Sequence, residues 1–98
     1  MKSSTMKLPT DTIIAPTEMK YKLFQQVALA RDIPEKKLQE GDVATVVEHH
    51  PVQNGEDGYS LEIFNALGDT IAVLTVPEST LQPLTQNEVF SVRSLVVA

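Results

Sequence analysis

Two adjacent histidines, His49-His50, and a scatter of carboxylates are the residues of this 98-residue chain whose types suit chemistry. A histidine pair could hold a metal ion or pass a proton, because imidazole titrates near neutral pH. Neighbours on a strand point to opposite faces, however, so His49 and His50 cannot easily chelate one ion. One His could pair with Glu48, Glu56 or Asp57, but a solvated strand end is the favoured reading. Glu56-Asp57, with Asn54 and Asp69 nearby in the pattern, supplies oxygens suited to Ca²⁺ but lacks the ligand spacing of a calcium loop, so a polar turn is favoured. No spacing singles out two carboxylates as a general acid and base. There is no Cys, which excludes disulfides, thiolate ligands and thiol nucleophiles. No metal and no cofactor is expected, and the chain is not expected to be an enzyme.

The carboxylates carry more information as a charge pattern. Net charge is −5. Residues 1–40 hold seven Lys or Arg against five acids, whereas residues 41–92 hold eight acids and no Lys or Arg. Arg93 is the one cation beyond them. An acidic surface attracts a basic partner and speeds encounter. Glu48, Glu56, Asp57, Glu62 and Asp69 are therefore the candidate partner-binding residues. Phosphate binding, by contrast, needs Lys and Arg, and base stacking needs aromatics. The chain has five aromatics and no Trp, which also argues against a proline-peptide groove.

The elements that must position these residues read as strands. One domain is expected at this length. Residues 1–19, interrupted by Pro9 and Pro16, read as a loosely ordered leader. A strand is expected over residues 23–30, with Val27 and Leu29 on one face. Asp32-Ile33-Pro34 stops it, and Leu38 follows a charged loop as a plug for the core. Gly41-Asp42 is a turn signal, and Val43-Ala44-Thr45-Val46-Val47-Glu48 is a β-branched strand. Asn54-Gly55 reads as a tight hairpin turn with positive φ angles. In the next strand Tyr59, Leu61 and Ile63 alternate with Ser60 and Glu62. Asn65-Ala66-Leu67-Gly68-Asp69 turns the chain into residues 70–76, apolar on both faces and hence expected at the sheet centre. Pro77–Leu81 reads as a helical or 3₁₀ turn, and Gln82-Pro83-Leu84 as a closing strand. The expected core is Leu23, Val27, Leu29, Leu38, Val43, Val46, Leu61, Ile63, Ile71, Val73, Leu74, Leu81 and Leu84. Residues 85–98 form a tail too apolar for a disordered segment. An extra C-terminal strand or an oligomer contact through Phe90, Val92, Leu95 and Val96 would account for it.

The order of five short strands, a long first loop and a 3₁₀ turn before the last strand gives an all-β, small SH3-like five-stranded barrel over residues 20–84. The segments Lys22-Leu23-Phe24, Val27-Ala28-Leu29, Asp32-Ile33-Pro34-Glu35, Gly41–Glu48, Thr70–Val76 and Leu81-Gln82-Pro83-Leu84 resemble, in order, an uncharacterised bacterial domain-of-unknown-function family of small SH3-like β-barrels. The resemblance implies the fold and brings no activity and no functional residue. Ala44 stands where such barrels often have Gly, so an ordinary β conformation or a mild bulge is expected there. Gly41–Val47 also looks like the short motif of ribosome- and transcription-associated barrels.

The function expected from all this is a non-catalytic protein–protein interaction module whose acidic face binds a basic protein partner, one encoded nearby. The alternative is a nucleic-acid-associated barrel using Lys20, Lys22, Arg31, Lys36 and Lys37, though nucleic acid is the less favoured partner because residues 41–92 carry no cation. A homo-oligomer through the tail is a third expectation. No apolar run approaches the roughly 18–20 residues of a membrane span, so no membrane partner is expected. With no signal peptide pattern, the expected location is the cytoplasm.

Overall fold

A computed structural model describes residues 19–94. They form an all-β unit of five strands: β1 (Gln26–Leu29), β2 (Val43–His50), β3 (Gly58–Phe64), β4 (Thr70–Pro77) and β5 (Leu81–Pro83). The strands make one antiparallel sheet in the order β4-β3-β2-β1-β5. Two 3₁₀ turns, Pro34–Lys36 and Glu78–Thr80, punctuate it. No helix among the described residues is long and apolar enough to cross a membrane. Residues 1–18 of the expected leader, and Leu95 and Val96 of the tail, lie outside the described residues.

The period-2 pattern of β3 sets the inner face. Tyr59, Leu61 and Ile63 are buried and stand opposite Val76, Leu74 and Ala72 of β4. Val46 of β2 faces Leu61, and Ala44 faces Val27 of β1 in regular register. Ala44 is buried, so its methyl belongs to the core and its conformation is ordinary β, as expected. Leu38 reaches the same core because the Pro34–Lys36 turn folds back on itself. Ile33 and Leu38 exchange backbone hydrogen bonds of 2.9 and 3.1 Å, and Lys37 takes a left-handed φ of 59° to close the loop. Gly41 (φ 93°) and Gly68 (φ 91°) make the turns into β2 and β4 with backbone angles that glycine adopts without a Cβ penalty.

Several expectations are corrected. β4 is an edge strand, not a central one. Its inward residues Ala72, Leu74 and Val76 pack on the core, while Val73 is 56% exposed and Ile71 also faces solvent. Leu23 is exposed as well, because β1 starts only at Gln26. In their place the core takes Tyr21 and Tyr59. The Asn54-Gly55 turn uses no positive φ; the Asp57 carboxylate orders that loop instead, accepting from Val52 N–H at 3.0 Å. No strand forms over residues 84–94, so among the described residues the extra C-terminal strand is absent.

Leu61→Ala removes a fully buried side chain and should cost about 2–5 kcal/mol. Val73→Ala, on the solvent side of an edge, should cost under about 1 kcal/mol. Urea midpoints at unchanged slope compare the two; equal losses would contradict these placements.

Candidate functional site

The polar residues of β2 are placed by one irregularity. Val46 pairs with Leu61 and Glu48 with Ser60, so Val47 is an extra residue in β2 and the alternation shifts by one. Glu48 and His50 therefore face outward with Ser60, while His49 faces inward with Tyr59. The histidines point apart, as strand geometry requires, and each has its own partners.

Inward, the His49 ring stacks on Tyr59 with centroids 5.1 Å apart, and its Nε2 lies 2.7 Å from Asp57 Oδ2. The His49 side chain is only 10% exposed. The His49 hydrogen bond, then the Val52 N–H, hold the Asp57 carboxyl below its ordinary range. Tyr59 meets the Tyr21 ring edge-on at 5.6 Å, and its hydroxyl accepts from the backbone N–H groups of Lys20 and Tyr21 at 3.1 and 3.4 Å. The Tyr21 hydroxyl donates to the Leu81 carbonyl at 3.3 Å. Burial, then the negative charge of Glu78, pushes the Tyr21 hydroxyl up. This end of the β2–β3 hairpin thus anchors the chain as it enters at Lys20.

Outward, a row of hydrogen bonds crosses three strands: His50 Nε2 to Ser60 Oγ at 2.8 Å, and Ser60 Oγ to Thr75 Oγ1 at 2.8 Å. Glu48 Oε1 lies 3.7 Å from His50 Nε2. The Ser60 hydroxyl is engaged on both sides. Among the described residues no group of three or more His, Asp or Glu is placed to hold a metal ion.

The five acidic residues named from the sequence do not form one patch. Glu56 and Asp57 sit in the loop at one end of β3, and Asp69 sits in the turn at the other. Glu56 accepts from Ser79 N–H at 2.7 Å and Ser79 Oγ at 3.1 Å, tying the hairpin to the second 3₁₀ turn. Asp69 Oδ2 accepts from Asn65 Nδ2 at 3.3 Å. Glu62 and Glu48 share the outer face of the sheet. Glu62 stands between Thr45 and Val73, with Thr70 Oγ1 at 3.4 Å, and the Glu48 side chain is 66% exposed.

The Gly-Asp turn has an internal role. Asp42 accepts from Gln39 N–H at 2.8 Å and from Arg93 through both carboxylate oxygens, with Arg93 Nε 2.9 Å from Oδ1. Arg93 also donates to the Lys37 carbonyl at 3.2 Å. Partial burial pushes the Asp42 carboxyl up, but the hydrogen bonds from Arg93 and Gln39 and the Arg93 charge outweigh it and hold the group below its ordinary range. Of the tail residues named, Phe90 and Val92 are exposed. The polar row, the Tyr21–Tyr59 contact and the Arg93 clamp were not foreseen from the sequence. The only advance sign was that Arg93 is the one cation after Lys37.

Residues 23–83 match the family described as Domain of unknown function (DUF4926). The chain belongs to this family. The match spans β1 to β5 and so covers both the outer face and the hairpin end. No curated protein and no solved structure matched the chain.

Asp57, with its folded pKa depressed, contributes stability that is present above its unfolded value near 3.9 and is lost as pH falls through the folded value. Asp57→Asn should be less stable than wild type at neutral pH and should lose less on acidification. Urea midpoints measured from neutral pH into the acid range check this; parallel curves for the two proteins would contradict it.

Proposed function

We propose that the protein is a non-catalytic protein-interaction module that presents the outer face of β2, β3 and β4 to a basic partner. One observation carries this. Residues 43–77 contain no Lys or Arg, and their outward face sets Glu62 beside exposed Phe64 and Val73, with Glu48 farther along the same face opposite Ser60. Carboxylates next to exposed apolar side chains suit a partner surface that carries Lys or Arg around an apolar centre. The acids at the two ends of β3 add to the attracting field without being in the contact.

The strand order, with a 3₁₀ turn directly before the closing strand, supports an SH3-like barrel as the framework. The Gly-Asp motif, which resembles that of nucleic-acid-associated barrels, has its Asp42 taken up by Arg93 and Gln39, and this favours a protein partner over RNA or DNA. The cysteine-free sequence supports a cytoplasmic setting.

Glu48→Lys/Glu62→Lys reverses the outer-face charge at two solvent-facing positions and should leave the fold intact. Wild-type protein used as bait in host extract should retain a basic protein at low salt and release it at high salt, where screening shortens the field. The double variant should bind the purified partner at least tenfold more weakly by calorimetry, about 1.4 kcal/mol. Equal affinity of wild type and variant would overturn the reading. Retention of RNA or DNA at about 50 mM salt would replace it with the nucleic-acid alternative.

A further inference from the structure

The two edges of the sheet differ. β5 is three residues long and ends in Pro83, which keeps it from templating another strand. β4 is eight residues long, carries no charge from Thr70 to Val76, and pairs with β3 alone among the described residues. Its far edge borders an open cleft of about 530 Å³. Val73–Pro77 form one wall, and Arg31, Asp32, Glu35 and Lys36 of the loop after β1 contribute to the other. Thr80 also lines this cleft; it is buried, and its hydroxyl has no hydrogen-bond partner. A backbone edge facing a cleft bounded by a loop is the geometry that accepts an added strand.

The same molecule carries a segment suited to it. Val89, Phe90 and Val92 are 88%, 67% and 92% exposed, and residues 89–92 belong to no strand. The segment is held at both ends, by β5 on one side and by the Arg93–Asp42 contact on the other. It is thus presented as a short, uncharged stretch in which three of the four side chains are apolar. We propose that Val89–Val92 of one copy adds as a strand to the open edge of β4 in a second copy, seated in the cleft between β4 and residues 31–36. A segment-into-groove contact of this kind is heterologous; it closes when two copies exchange segments and otherwise grows head to tail.

The test is the mass of the full chain in solution by light scattering, over about 1 µM to about 1 mM. Wild type should form particles of two or more 10.8 kDa chains. Phe90→Asp/Val92→Asp, which spoils the segment, and Val73→Lys, which charges the edge, should each weaken association at least tenfold. All these positions are exposed, so far-UV circular dichroism and urea midpoints should stay near wild type. An equimolar mixture of the two variants should regain part of the association, because one keeps the cleft and the other the segment. A monomeric wild type throughout the range overturns the proposal. So does undiminished assembly of Phe90→Asp/Val92→Asp, which with loss in Val73→Lys would point to direct β4–β4 pairing. A mixture that stays monomeric at the highest concentration also counts against it. The readout is mass without any basic partner, and Phe90 and Val92 lie outside the face assigned to that partner, so a failure here is distinguishable from a failure of the proposed function.

Discussion

One extra residue in β2 decides where the polar groups of this protein go. Without Val47 as a bulge, the alternation running from Val46 would turn Glu48 and His50 inward and His49 outward. A carboxylate buried there without a cationic partner is costly enough to forbid the fold or neutralise the group. The bulge lets one strand serve an aliphatic core at Ala44 and Val46 and a polar hairpin end at His49. His49, once turned inward, needs an acceptor, and Asp57 supplies it. Asp57 in turn orders the loop at Val52, and the His49 ring covers Tyr59. Tyr59 then holds the backbone at Lys20 and Tyr21. Four separate parts of the chain are tied through this sequence of contacts, each satisfying a polar group that the previous one brought inside.

The acidic residues show the same economy of partners. In residues 43–77 there is no Lys or Arg to pair with, so carboxylates that need partners take backbone N–H groups, hydroxyls, an amide and one imidazole. The backbone N–H groups, hydroxyls and amide bring no compensating charge. The loops are therefore ordered while the local negative field stays largely uncancelled. Asp42 is different: it lies at the boundary of the cation-free stretch and is met by Arg93, which closes the tail onto the β1–β2 loop.

The sequence made the period-2 strands legible, and with them most of the inner face: β3 alternation placed Tyr59, Leu61 and Ile63 correctly, and Gly41 and Gly68 marked real turns. It misplaced β4 because periodicity reports which side chains are apolar, not whether another strand follows. Ile71 and Val73 look the same in a centre or at an edge. It also could not reveal the bulge, since Val46-Val47 is equally consistent with a regular strand. The candidate acids were each found, but not their separation onto two ends and one face, which follows from the direction of β3. Contacts such as Arg93–Asp42, fifty-one positions apart, leave no local trace beyond the isolation of the charge.

The contrast between the two edges bears on more than strand prediction. An uncharged, β-branched edge such as Thr70–Val76 is the type of segment that pairs indiscriminately when left open. The β3–β4 register shift at Ile71 bends only its first residues. A chain that spends a proline and a three-residue length to blunt β5 would gain little if β4 were left to chance. Under the proposed strand addition, the lack of a gatekeeping charge on β4 is what an apolar occupant of that edge would require. A Lys at Val73 would protect the edge and would also exclude an apolar occupant. The exposed side chains of residues 89–92 pose the complementary problem, a stretch with apolar groups that nothing among the described residues covers. The proposed contact between copies would answer both.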